Sequence, residues 1–337
     1  MYLSNKILKK WLKTSKLNFI QRLMLGKPYL TSNRIVSINR YNILLNRYFK
    51  ILAKNKISSK THDITFDDSA SNLIDKLFKT YVDDNTLVVT SSHEHPSVVR
   101  NLEKCKNVFY IDVFDKVKTL DIQKLSEDIS RYNKVFVYMI GTHVMNGCDT
   151  DYTYFKIVKK LSKTKKCIMV LDECQAMFVK NKSYKMFDYI VGTGHALIPR
   201  HNLGILINKR CNLALGYRKY FKGLSFIKQV EIMLKDEICL NSFNKIMRCY
   251  YKPFVKHNEK YEFSGNNKTG YLFHISKKNG KFLQQDRDYL YQNFKVDIDD
   301  LQSIRFRASV FITKPWLLLK SVETVNKILE NNSHEIR

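Results

Sequence analysis

From about residue 63 the chain alternates short apolar runs with longer amphipathic ones, and this rhythm limits the fold more than any other feature. The apolar runs are TLVVT (86–90), NVFYIDV (107–113), KVFVYMI (134–140), KCIMVLD (166–172), FDYIV (187–191) and LGILIN (203–208). They are short, apolar and often β-branched, so they read as buried strands. Helical candidates occupy 70–81, 95–104, 120–131 and 151–163. Strands that alternate with helices specify an α/β fold, a mainly parallel sheet with helices on both faces. In such a sheet the site lies beyond the carboxyl ends of the strands, so polar residues that follow each run carry the chemistry.

After 215 the alternation weakens. A helical stretch near 222–250 leads to a polar, Gly- and Lys-rich loop at 264–282. A strand candidate at 303–311 and a closing helix at 317–331 follow. The chain therefore divides into a basic N-terminal segment (1–62), a large domain (63–215) and a small α+β C-terminal domain (216–337). A length of 337 residues suits one large and one smaller core. Within 1–26, Leu8, Trp11 and Leu12, then Ile20, Leu23 and Met24, fall near helical spacing among lysines. That segment reads as one or two basic amphipathic helices, as a cap on the main body before a membrane-lying helix or a targeting sequence.

The charge is unusual. Lys+Arg number 58 and Asp+Glu 31, a net +27, and the first acidic residue is Asp63. Such a chain attracts polyanions, nucleic acid among them, with a steep salt dependence. The competing reading is a lysine coat from an AT-rich genome, since Lys, Asn, Ile and Tyr are all abundant. No apolar run approaches the length of a transmembrane span, and no signal-peptide pattern appears, so a cytoplasmic chain is expected. The seven cysteines form no CxxC pair and no His/Cys cluster with zinc spacing, which implies reduced thiols and no structural metal.

Three polar signals sit at strand ends: SSHEHPSVV (91–99) after TLVVT, VLDECQ (170–175) ending KCIMV, and GTGH (192–195) after FDYIV. Taken singly each has a plain structural reading. Asp172 reads as a helix cap, Gln175 as a surface residue, His95 as a structural histidine, His195 as a turn residue and Arg305 as a salt-bridge arginine. Cys174 reads as buried packing rather than a nucleophile.

Together, in this order and each after a strand, the three motifs resemble the class V aminotransferase and cysteine desulfurase family. This is the NifS-like branch of the fold-type I pyridoxal-phosphate (PLP) enzymes. The resemblance covers about 63–210 well and the C-terminal part weakly. It implies that Asp172 holds the cofactor's pyridine nitrogen protonated, which makes the ring an electron sink. It implies that Gln175 hydrogen-bonds the ring's phenolic oxygen and that His95 stacks on the ring face. Thr193 and His195 match the residues that help hold the phosphate. Ser69 and Ser71, in TFDDSASNL (65–73), lie where the family has a Gly/Thr-rich helix start suited to a phosphate. Arg305 in SIRFRAS best matches the arginine for the substrate carboxylate, with Arg307 second. A homodimer is implied in the same way.

The sequence departs from the family at three places. Asp67 and Asp68 stand where glycine and threonine are usual, and two carboxylates there would repel a phosphate. Ala196 follows His195 where the family has the lysine that links covalently to PLP. A methyl group forms no imine and moves no proton, and Lys209, at the far end of the next strand, is a poor substitute. No cysteine follows Cys249, so the desulfurase nucleophile is missing. The leading expectation is a degenerate member: a pseudoenzyme that binds PLP at most noncovalently and works by binding or regulation. The alternatives are a basic scaffold for nucleic acid or another polyanion, and an atypical PLP- or PMP-dependent enzyme working on a ready-made adduct. The AT-rich bias and the eroded frame suit a large DNA virus or a parasite, hence host cytoplasm or virion.

Overall fold

The computed structural model describes residues 2–13, 17, 38–113, 120–143, 147–179, 182–198, 202–210, 212, 221–255, 260–264, 272–299 and 301–334. They fall into two units. The larger holds the described residues between Pro28 and His143 and between Asp149 and Lys228. The smaller holds those of 229–337 together with the N-terminal helix Tyr2–Lys13.

The large unit is built on seven strands: β1 (His62–Asp67), β2 (Thr86–Ser91), β3 (Val108–Ile111), β4 (Lys134–Ile140), β5 (Lys166–Asp172), β6 (Tyr189–Thr193) and β7 (Gly204–Lys209). Their order across the sheet is β1-β7-β6-β5-β4-β2-β3. Strands β2 to β6 pair in parallel. β7 runs antiparallel to both β6 and β1. All six predicted strands are present, in the mainly parallel sheet that the alternation specifies. β1 was not expected: HDITFD places polar residues at four of its six positions, which hides the apolar pair Ile64 and Phe66.

The helices Ala70–Tyr81, Pro96–Leu102, Ile122–Arg131 and Thr153–Leu161 alternate with these strands. Local chemistry fixes three of their starts. Ser69 Oγ accepts from the Asn72 N–H at 3.1 Å, and Asp121 Oδ1 accepts from the Lys124 N–H at 2.9 Å. His95 caps the third, with Pro96 in the first turn. Leu73, Ile74, Leu77 and Phe78, one stripe of the first helix, cover Phe136, Tyr138, Val170, Val191 and Leu206 of the sheet. Each such side chain contributes about 1.5–3 kcal/mol by leaving water.

The smaller unit contains a four-stranded antiparallel sheet, β8 (Tyr261–Ser264), β9 (Leu272–Lys277), β10 (Asp297–Asp299) and β11 (Ser303–Arg307), in the order β10-β11-β9-β8. One face is apolar: Ile298, Ile304, Phe306, Phe273 and Ile275. The other carries Asp297, Ser303, Arg305 and His274. Two expectations need correction here. The stretch 264–282 is not one loop, because LFHISK pairs as β9; its alternation is masked by the Gly, Asn and Lys residues around it. The strand candidate 303–311 ends at Arg307, and Ala308–Thr313 is helical.

The helix Tyr2–Lys13 packs within the smaller unit. Leu8 and Trp11 are buried, the Trp11 ring lies 5.2 Å from Phe243, and its Nε1 donates to Ser242 Oγ at 3.2 Å. Ile20, Leu23 and Met24 lie outside the described residues. Among the described residues no helix is long and apolar enough to cross a membrane.

One close approach fixes where the helix Ala70–Tyr81 begins. A Cβ on Gly204 would lie 2.3 Å from the Ser69 carbonyl oxygen and 2.9 Å from the Ala70 nitrogen. Both atoms are backbone, so relief requires the helix to move. Gly204→Ala is expected to lower unfolding free energy by about 2 kcal/mol or more, read as a lower urea midpoint at unchanged slope.

Candidate active site

The strand order turns back between β2 and β4, and this is the point at which open α/β sheets form a crevice. The same edge gathers the polar strand ends. Ile140 closes β4 in register with Asp172 of β5, and Asp172 is in register with Val191 of β6. Thr193 pairs with Gly204, and Gly204 with Asp67 at the end of β1. Ser69, Ser71, His95, Asp172, Gln175, Thr193, His195 and Ala196 therefore lie along one edge, in a row of roughly 24 Å at about 4.8 Å per strand. Chain topology alone places these residues on one edge.

Asp172 lies near the middle of the row and is 2% exposed. Its Oδ2 accepts from the Tyr138 hydroxyl at 2.8 Å, and its Oδ1 from the Cys174 N–H at 2.9 Å. A carboxylate has about four acceptor positions, so two remain for a ligand. Burial first, then the Asp172 carboxylate, raises the Tyr138 hydroxyl well above its ordinary range. The same two causes raise the Cys174 thiol, which stays protonated and packs against the core cluster.

Glu94, one residue before His95, is the acid that sequence reasoning missed. Its Oε1 accepts from Ser91 Oγ at 2.6 Å and from the Ile140 N–H at 3.0 Å, so it ties β2 to β4 at the turning point of the strand order. Its Oε2 is buried with no hydrogen-bond partner. Burial, opposed by the Ser91 hydrogen bond and reinforced by the Asp172 charge, pushes its carboxyl up to about 8. The edge therefore carries a neutral acid near a carboxylate. The visible signal was its place directly after a strand; its burial was not visible.

His95 is exposed. Its Nδ1 accepts from the Ser97 N–H at 3.2 Å, which leaves the proton of a neutral ring on Nε2. Gln175 is 8% exposed and its Oε1 is buried without a partner, an arrangement that a ligand donor would complete. Thr193 Oγ1 and His195 Nδ1 lie 2.8 Å apart.

The helix start differs from the expectation. Ser69 Oγ already serves as the cap, and Ser71 is half-buried in the first turn. Asp67 is not an unbalanced repelling charge: Lys76 reaches its Oδ2 at 2.6 Å, and Asn72 Nδ2 donates to Oδ1 at 3.0 Å. Ala196 is 1% exposed, a buried methyl group. Lys209 lies five residues along β7 from Gly204, about 17 Å away. It pairs there with Asp188 at 2.8 Å. Arg305 belongs to the smaller unit. Its Nη2 contacts Asp297 Oδ2 at 2.9 Å, and Arg307 Nη2 reaches the same oxygen at 3.3 Å. Arg305, Arg287, Asp288, Tyr291 and Asp297 line a cavity of about 600 Å³ in that unit. Among the described residues no cluster of His, Cys, Asp and Glu could hold a metal ion.

Comparison with the profiles of known families and with curated proteins finds no match. Solved structures do match. A NifS-like protein from Rickettsia africae ESF-5 superposes with a TM-score of 0.66 at 15% identity, over 95% of this chain and 98% of that one. The fold is that of the fold-type I transferases. A ureidoglycine–glyoxylate aminotransferase from Bacillus subtilis gives 0.63 at 9% identity, over 95% and 92%. A PLP-bound C-S lyase from Staphylococcus hominis gives 0.59 at 10%, over 96% and 88%. At such identities the likeness concerns the fold.

Glu94 binds its proton more tightly when folded than when unfolded, so stability falls as pH rises from about 4.5 towards about 8. Glu94→Gln keeps an acceptor for Ser91 and Ile140 and removes the cost of ionisation. It is expected to raise unfolding free energy at pH 7 by about 3 kcal/mol, with the gain gone below pH about 4.5. Urea unfolding at the two pH values checks it.

Proposed function

We propose that this chain is a NifS-like protein of the class V aminotransferase fold that binds PLP noncovalently and lacks ordinary transaminase or desulfurase activity. The carrying observation is the contrast at one sheet edge between an oriented Asp172 and a buried Ala196. The residues fit the ring better than they fit the chemistry. Asp172 would take the pyridine N–H, His95 the ring face, and Gln175 the phenolic oxygen. Thr193, His195 and the helix start near Ser69 and Ser71 would hold the phosphate, with Asp67 already balanced by Lys76. When bound, PLP supplies an electron sink. No amine stands at 196 to attach it or to move a substrate proton, and no cysteine follows Cys249. Arg305 is engaged by Asp297, so a substrate carboxylate meets a resident competitor. The reading includes a homodimer and a degenerate, viral or parasite-derived lineage; light scattering tests the first.

A second reading, turnover of a ready-made cofactor–substrate adduct, has one observation in its favour: Glu94 keeps a proton near neutral pH. It requires turnover by the pure protein that disappears in Glu94→Gln while PMP affinity persists.

The leading reading is tested by titrating PLP into the full chain and following visible absorbance and quenching of tryptophan fluorescence. Wild type is expected to show a saturable band. Asp172→Asn removes the charge opposite the ring nitrogen and is expected to weaken binding about tenfold or more, the worth of one charge-assisted hydrogen bond. Equal affinities would contradict the assignment of Asp172.

A further inference from the structure

We propose that the exposed face of the helix Tyr2–Lys13 is a docking surface for the phosphate backbone of nucleic acid. The inference rests on the packing of that helix and is independent of the PLP reading. Lys6, Lys9, Lys10 and Lys13 are all exposed, at spacings of three, four and seven residues from Lys6. Residues so spaced share one face of a helix. Leu8 and Trp11 occupy the opposite side and are buried, Trp11 against Ser242 and Phe243.

The four ammonium groups form a row about 10 Å long, at 1.5 Å per residue. About six duplex phosphates lie along the same length of DNA axis. Among the described residues no carboxylate pairs with any of the four lysines. None stands nearby in sequence either, because no acidic residue precedes Asp63.

The packing also decides between two anionic partners. A helix that lies on a membrane needs a free apolar face to insert below the headgroups. Here Leu8 and Trp11 are buried and the helix packs on Glu237–Val255, and Ile7, at 37% exposed, is the one exposed large apolar residue among the described side chains of this helix. What remains is electrostatic attraction to a dense phosphate array. The contacts involve backbone phosphates only, so binding is expected to be independent of sequence.

The test uses the full-length protein and fluorescence anisotropy with a labelled 20-mer duplex and a labelled 20-mer single-stranded RNA, from low to physiological salt. The variant is K6Q/K9Q/K10Q/K13Q. The control is K156Q/K159Q/K160Q/K163Q, which removes the same charge from four exposed lysines of the same spacing on the large unit. The site variant is expected to lose at least about tenfold in affinity at low salt. Its slope of log affinity against log salt should fall by about three, near 0.7–0.9 for each lost phosphate contact. The control should stay within about threefold of wild type. Equal losses in both variants would show that overall charge is responsible, and the site assignment would fall. Undetectable binding of both nucleic acids at low salt would overturn the proposal. So would strong binding to phosphatidylserine vesicles that the nucleic acids do not compete away.

Discussion

The candidate site depends on holding one carboxylate inside the protein at the end of a central strand. An isolated buried carboxylate is costly, and proteins tolerate it when donors surround it. Asp172 has two: the Tyr138 hydroxyl from β4 and the Cys174 N–H from the turn after β5. Those donors fix its direction and leave part of its acceptor capacity unused. The neighbouring acid, Glu94, follows the opposite course. It lies by the same edge, where burial first, reinforced by the Asp172 charge, raises its carboxyl to about 8.

The rest of the edge is arranged around that pair. Asp67 is neutralised by Lys76, which allows a helix to begin beside β1 without an uncompensated charge. Gly204 lets that helix start touch β7 through the backbone. Gln175 and Glu94 each keep a buried oxygen without a partner in the described structure. Buried orphans are rare in folded proteins. Ala196 is buried at the same edge.

Much of the large sheet was legible because its parallel strands are buried on both faces and read as short apolar runs. β1 and β9 were not, since polar residues interrupt HDITFD and flank LFHISK. That the polar residues of this edge follow strands was legible in the sequence. What they touch was not. The Asp67–Lys76 pair spans nine residues, and the tie between Glu94 and Ile140 spans 46; neither has a local pattern. Tyr138 looked like one more strand residue until the register placed its hydroxyl on Asp172. The cation that balances Asp67 was hidden for the same reason: it lies two turns along the helix.

The most direct measurement is mass spectrometry of the PLP-loaded full chain, native and then denatured after borohydride treatment. Borohydride makes any imine permanent. The account predicts a cofactor-bearing mass in the native spectrum and the bare chain mass after reduction and denaturation. A cofactor mass that survives denaturation would show that some lysine does the work denied to Ala196. No bound mass in the native spectrum would remove PLP from the account.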